Sequence, residues 1–408
     1  MGKNKKALHK KNLWLLLIVS LLALSFIGCK SKESKSNETL KEDSKIVEGE
    51  DTDTENTGDE TKVGEVIVEE KGIIKVMYSA GLCGIPLHIA KQLQFFEAEG
   101  LVEGVDYEYV TSSTTGVEML TTGNADVTFG LIAAMLAPLD NGLEAKTVLG
   151  IHTGCIQILA SKESGITDVS LLKGKKIGVQ QLASSPHIVA QRALADAGIG
   201  STADNMEVEF IVFPVDDLPL ALKNGAVDAI AIGDPKATIL VNEGSAISIF
   251  NSATTDLLKD EYCCSLWVRN ETIEKYPVKL SKVVNAIQKA SAWVEQNVDI
   301  AAEIQLDNEW LVGDLEIDKQ VIKNFKYLPS VSGVEIALTR NILDMKELGL
   351  IKADTDANEL AKSGFYRLEG VPDNITETII PPIDPSTQLI GELSSFYYAS
   401  NEVKCEHH

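Results

Sequence analysis

An α/β fold is predicted by three observations. Short apolar runs alternate with helical patterns from residue 71 onward, the alternation restarts at residue 176, and 44% of the 408 residues are hydrophobic, enough to bury a sizeable core. Alternation of this kind implies mostly parallel sheet with helices on both faces. At ~150 residues per domain the length suggests two to three domains.

The elements follow in order. Residues 72–78 (GIIKVMY) read as a buried strand, and residues 86–99 (PLHIAKQLQFFEAE) as one helix, with proline in its first turn and Gly100 after its end. Strands are then expected at 105–110, 125–129 and 147–151, with helices at 114–122 and 131–139 between them. After the restart, 176–179 (KIGV), 207–213 and 227–232 read as strands, and 184–197, 216–223 and 235–241 as helices. Two junctions resemble each other across the restart: TGNADV at 122–127 and NGAVDA at 224–229. Each offers glycine as a helix stop and aspartate at a strand entry. Beyond Cys264 the pattern is largely helical, with amphipathic segments at 281–305, 318–327 and 334–348. Past Gly370, prolines 372, 381, 382 and 385 suggest an irregular strap along the surface.

The amino end carries an address. Lys3, Lys5, Lys6, Lys10 and Lys11 precede an apolar run at 13–27 and then Gly28-Cys29, the order and length of a signal peptide over residues 1–28. The run is shorter than the ~20 residues that a spanning helix needs. Ser25-Phe26-Ile27-Gly28-Cys29 resembles a bacterial lipobox, with phenylalanine where leucine is more usual. That resemblance implies a lipid on the Cys29 sulfur and cleavage before it, and so attachment to the outer face of the cell membrane. Residues 29–70 are dominated by Lys, Glu, Asp, Ser, Thr and Asn, with no aromatic residue, which reads as a disordered acidic tether. The formal net charge is −23, and loss of the five lysines would make it −28. A chain so acidic has no basic footprint for phosphates, which argues against nucleic acid as a partner.

LKGKKIGV at 172–179, ASSPH at 183–187 and ADAGI at 195–199 are similar in order and spacing to the nitrate/sulfonate/bicarbonate family of ABC transporter substrate-binding proteins, which includes taurine and thiamine-precursor binders. PLHIAKQLQFFEAEGL at 86–101 resembles that family's first helix, and the two glycine-aspartate junctions match its turns. The resemblance covers residues 72–367. It implies a two-lobed periplasmic-binding-protein fold of type II, with two hinge crossings near Gln157 and Leu266. Lobe 1 would be 72–155 plus 266–370, lobe 2 would be 156–265, and 371–408 a C-terminal extension. It also implies a small-molecule ligand in the cleft, delivery to an ABC permease and its ATPase, no cofactor, and a monomer.

Helix starts offer unpaired N–H groups and partial positive charge, so they hold small anions. Ser184 and Ser185, ahead of Pro186-His187, are the first candidates, and Ser112, Ser113 and Thr114 the second; each could equally be an ordinary N-cap. Asp234 follows a strand where the family often carries tryptophan and an acidic residue; it could pair with a cation on the ligand or be a solvated turn residue. Ser79 and Cys83 share a glycine-rich loop after the first strand, while His152, Cys155 and Cys263-Cys264 fall at the crossings. Three readings stay open for these thiols: a soft site for a metal or metal-bearing ligand, assisted by His152, His187 or His88; a Cys83–Cys155 or Cys155–Cys263 disulfide; or separate buried small hydrophobes. Cys405-Glu406-His407-His408 offers at most a weak metal site in a frayed tail.

The chain shows no GxSxG, HExxH, GxGxxG or Walker loop, so capture without chemistry is the leading reading and no enzyme is expected. Two rivals are an enzyme like the thiamine pyrimidine synthases, which share the implied fold and a cysteine-rich motif, and a sensor ectodomain or adhesin.

Overall fold

A computed structural model describes residues 70–386, apart from 79, 80, 113, 311 and 312. The signal peptide, Cys29, all of the tether but its last residue, Ser79, Ser113 and the tail at 387–408 lie outside the described residues.

The strands are β1 (Ile74–Met77), β2 (Tyr107–Val110), β3 (Val127–Leu131), β4 (Ala145–Thr153), β5 (Ile156–Ser161), β6 (Lys176–Val179), β7 (Ser201–Thr202), β8 (Asn205–Met206), β9 (Glu209–Val212), β10 (Ala229–Gly233), β11 (Ala246–Asn251) and β12 (Tyr262–Arg269). They form two five-stranded sheets, ordered β2-β1-β3-β12-β4 and β11-β5-β10-β6-β9, and a small β7-β8 ribbon. In the first sheet β1 runs parallel to β2 and β3, and β12 runs antiparallel to both β3 and β4. In the second, β6 runs parallel to β9 and β10, and β5 runs antiparallel to both β10 and β11. Each sheet is therefore mostly parallel, with one opposed strand inserted next to its edge. Read from the opposite end, the second sheet repeats the order of the first.

The repeat is visible in single hydrogen bonds. Asp126 Oδ2 accepts from the Lys75 N–H at 2.9 Å, and Asp228 Oδ2 accepts from the Lys176 N–H at 2.8 Å. Their own N–H groups donate to the Lys75 and Lys176 carbonyls at 2.8 Å. In each sheet the aspartate entering the third strand of the alternation staples the first.

Helices cover the sheets. Pro277–Gln296 packs against the first, burying Leu280, Val283, Val284, Ile287 and Trp293. Val331–Glu347 covers β4 and β12 from another side, around the fully buried Trp267. Ser185–Asp196 packs on the second sheet through Val189, Ala190 and Leu194, while its Ile188 is buried with Leu136 and Trp267 of the first half. Full burial of side chains of this size contributes ~1.5–3 kcal/mol each.

Several expected elements differ. The helix over 86–99 is two, Ile85–Gln92 and Phe95–Ala98, because Gln94 takes a left-handed conformation (φ 58°) that ends the i to i+4 ladder. The segment 281–305 is also divided, into Pro277–Gln296 and Val298–Asp307. Asn297 leaves helical geometry there, and its side chain donates to the Trp293 carbonyl at 2.9 Å. The helix expected at 318–327 occupies Leu315–Asn324, started by Asp314, whose carboxylate accepts from the Glu316 and Ile317 N–H groups. The strap beyond Gly370 is present as far as the chain is described. Gln288 and Gln296 donate to the Pro372 and Glu377 carbonyls, and Val371 and Ile379 are buried.

The chain passes between sheets twice, at Gly154-Cys155 and over 252–261, so Gln157 and Leu266 lie inside β5 and β12 rather than at the passages. The passages are stitched together. Ser252 Oγ accepts from the Cys155 and Ile156 N–H groups, both at 3.0 Å, and a Cβ at Gly154 (φ 57°) would fall 2.5 Å from Ala253. Only glycine allows that approach.

Candidate functional site

The passages and the start of the Ser185–Asp196 helix enclose a narrow cavity of ≈ 30 Å³ between the sheets, lined among others by Leu131, Gly154, Ser185, Arg192, Ser252, Glu261, Tyr262 and Cys263. By the same measure one water needs ~10–15 Å³, so the space holds about two waters and no organic solute.

Of the hydroxyl-rich turns, the one at 184–185 reaches this cavity. Ser185 is 3% exposed, lines the cavity, and its Oγ has no hydrogen-bond partner among the described residues. Ser184 is not an ordinary N-cap: its Oγ donates to the Gln181 carbonyl at 2.6 Å instead of accepting from the helix. The turn is held in an unusual shape. Ala183 sits at φ 59°, and its N–H donates to His187 Nδ1 at 3.1 Å, which requires a neutral imidazole. Burial pushes His187 down to about 4, consistent with that form.

The other turn is placed differently. Ser112 Oγ and Thr114 Oγ1 bond each other at 2.9 Å, Ser112 half-buried and Thr114 exposed, and neither lines the cavity. The following helix, Gly116–Thr122, is closed by a capping box between Thr115 and Glu118. Asp234 is also engaged within its own half: Gln157 Nε2 reaches both its oxygens at 3.0 and 3.1 Å, and Thr238 donates through N–H and Oγ1 at 3.0 and 2.8 Å.

Sequence reasoning missed an ion cluster across the halves. Arg192 meets Glu261 through two bonds of 2.6 and 2.9 Å, and its Nε lies 2.7 Å from Asp344 on the Val331–Glu347 helix. Asn341 on that helix donates to Glu261 Oε1 at 2.8 Å. The outer side of this cluster is a wider hollow of ≈ 240 Å³ bordered by Asp196, Asp344 and Glu347, which suits no anion.

The cysteines at the crossings come together. Cys83 sits in the turn Leu82–Gly84, Cys155 in the first passage, and Cys263 and Cys264 in β12. All four are free thiols. The Cys155 and Cys263 sulfurs are 3.3 Å apart, and Cys263 Sγ lies 3.5 Å from His152 Nδ1. Ligating atoms of Cys83, His152 and Cys264 lie within 4.8 Å of one another, as do those of Cys155, Cys263 and Cys264. Burial opposes ionisation of Cys263, but hydrogen bonds from Cys155 and Cys264 prevail and hold its thiol at about 7. Hydrogen bonding to its neighbours pushes Cys264 well up. His152 is stacked on Phe325 at 5.0 Å. His187 and His88 are elsewhere, His88 bonding Gln305 at 2.6 Å and packing on Trp310 at 4.5 Å.

Among the described residues no helix is long and apolar enough to cross a membrane. Residues 69–306 match the model of the NMT1-like family. The putative aliphatic sulfonates-binding protein of Bacillus subtilis (strain 168) is 28% identical over 244 residues, 59% of this chain and 69% of that protein. The structure of the alkanesulfonate-binding protein from Xanthomonas axonopodis pv. citri, bound to MOPS, aligns with TM-score 0.60 at 19% identity, covering 74% of this chain and 100% of that one. The periplasmic nitrate-binding protein from Synechocystis PCC 6803 aligns with TM-score 0.59 at 16% identity, covering 71% and 85%. The fold is thus the two-lobed periplasmic-binding-protein fold, one sheet to each lobe.

Proposed function

The chain belongs to the NMT1-like family, and from that premise we propose that it captures a small anionic organic solute between its lobes and hands it to an ABC permease and its ATPase. Its relatives are solute-binding proteins and not enzymes, and their named cargoes, sulfonates and nitrate, set the anionic class.

The observation that carries the reading is Ser185. A buried hydroxyl without a partner costs ~1–3 kcal/mol unless something bonds to it, and this one lies at the start of a twelve-residue helix facing the interlobe cavity. An oxyanion there accepts from the hydroxyl and from the Ser185 and His187 N–H groups, and gains from the helix dipole. Ser184 shapes the turn. Ser112 and Thr114 stand off this cavity, and Asp234 supports the turn after β10 from within. The lobes divide at Gly154-Cys155 and at 252–261, and capture is a hinge motion about these passages.

We assign Cys29 as the lipidated residue, with 30–70 as the tether that keeps the binding body at the outer face of the membrane. Metabolic labelling with palmitate, lost in Cys29→Ala, checks this part.

Capture itself is tested by heating the purified chain with short alkanesulfonates, taurine and nitrate. A ligand at 100 times its Kd adds ~2.7 kcal/mol of stability and raises Tm visibly. Absence of any shift or calorimetric binding across that series overturns the anionic reading.

A further inference from the structure

We propose that the cluster of Cys83, Cys155, Cys263, Cys264 and His152 supplies the four ligands of one soft d10 metal ion of the zinc or cadmium class, with Cys264 common to both triads that the cluster offers. Three stretches far apart in sequence deliver these groups to one place: the turn after β1, the passage from β4 to β5, and the first residues of β12. The two triads, Cys83–His152–Cys264 and Cys155–Cys263–Cys264, each keep their ligating atoms within 4.8 Å, and the closest sulfurs are 3.3 Å apart. A Zn–S bond of ~2.3 Å puts neighbouring sulfurs of a tetrahedron about 3.8 Å apart, inside that range.

A second observation points to a ligand. His152 is fully buried, and its Nε2 has no hydrogen-bond partner among the described residues. A thiol that merely fills space asks nothing of its neighbours, but an imidazole nitrogen left unpaired in the interior does. Stacking on Phe325 holds the ring in place. Cys83 and Cys263 are only partly buried, which gives the ion a way in. Thiolate and imidazole together select soft or borderline d10 ions over magnesium or calcium. The ion enters as a hydrated cation and sheds water, each ligating thiol releases its proton to solvent, and no oxidation state changes. Because the ligands come from both lobe crossings and the turn beside them, the bound ion fastens the hinge.

The test uses the reduced full-length chain under anaerobic conditions, titrated with Cd²⁺ alone. The expected result is an ultraviolet thiolate-to-cadmium charge-transfer band that saturates at one equivalent and that also grows in as Cd²⁺ displaces Zn²⁺ bound beforehand. Cys264→Ser, removing the shared ligand, weakens binding about hundredfold or more, at or beyond the upper end of what loss of an outer-shell partner costs. Cys83→Ser serves if circular dichroism shows that Cys264→Ser does not fold, and Cys405→Ser leaves the band unchanged. The proposal is overturned by a folded, reduced chain with no saturable band, or by a band that survives both cleft variants and disappears in Cys405→Ser. Sulfonate titration is a separate measurement, so failure of either reading leaves the other standing.

Discussion

Arg192 and Glu261 face each other in a two-bond pair buried at the lobe junction, 6% and 5% of their side chains exposed, with Asp344 and Asn341 closing the cluster from the opposite lobe. Breaking such a pair by removing one partner leaves a charge without compensation in the interior, while replacing both costs little. Arg192→Met should therefore destabilise the chain by ~3–5 kcal/mol in urea unfolding, and Arg192→Met with Glu261→Leu should recover most of the loss. A double variant as unstable as the single one would show that the arginine acts through packing.

The paired staples give an unequal forecast. Asp126 serves the Lys75 N–H and also takes Thr272 Oγ1 at 3.0 Å and Arg269 at 3.4 Å, whereas the Asp228 carboxylate serves the Lys176 N–H. Asp126→Ala is expected to cost ~2–3 kcal/mol and Asp228→Ala ~1 kcal/mol, read as shifts in denaturant midpoint at constant m-value. Equal losses would mean that the bonds to Thr272 and Arg269 contribute nothing.

These staples also show what could be read beforehand. The two glycine-aspartate junctions were visible because a helix stop, an acidic side chain and a strand entry recur within six residues, all local signals. Strand 176–179 matched residue for residue because glycine and charge bound its apolar run. The breaks at Gln94 and Asn297 were hidden, since apolar spacing continues through both and the interruption lies in backbone angles. The thiols could be placed near the crossings from the order of elements, but that all four meet depends on the turn at Cys83 folding back onto β12. The Arg192 cluster left no trace, its partners being 69 and 149 residues away with no pattern linking them.

Ser185 separates binding from stability. Ser185→Ala replaces an unpartnered buried hydroxyl with a methyl group, so the folded chain should be as stable as before or slightly more so. Loss of one hydrogen bond to the ligand should weaken sulfonate binding about tenfold, ~1.4 kcal/mol. Ser185→Pro, which also removes an amide, should weaken it further. Calorimetry giving the same Kd for wild type and both variants would move the anion site away from this helix.

His187 carries a pH dependence whose sign is fixed by its burial. Its folded imidazole is pushed down from 6.5 to about 4, so between those values the unfolded chain binds a proton that the folded chain refuses. The stability this gives is complete above pH 6.5 and is lost as the pH falls toward 4. The Ala183 N–H bond to Nδ1 goes with it, and that bond holds the turn carrying Ser184 and Ser185. His187→Gln removes the titration but leaves every other group, so the difference in Tm between wild type and variant isolates it. That difference should be largest near pH 7 and shrink steadily toward pH 4. A gap that stays constant over the whole range would mean that the ring titrates in the folded chain as it does in the unfolded one.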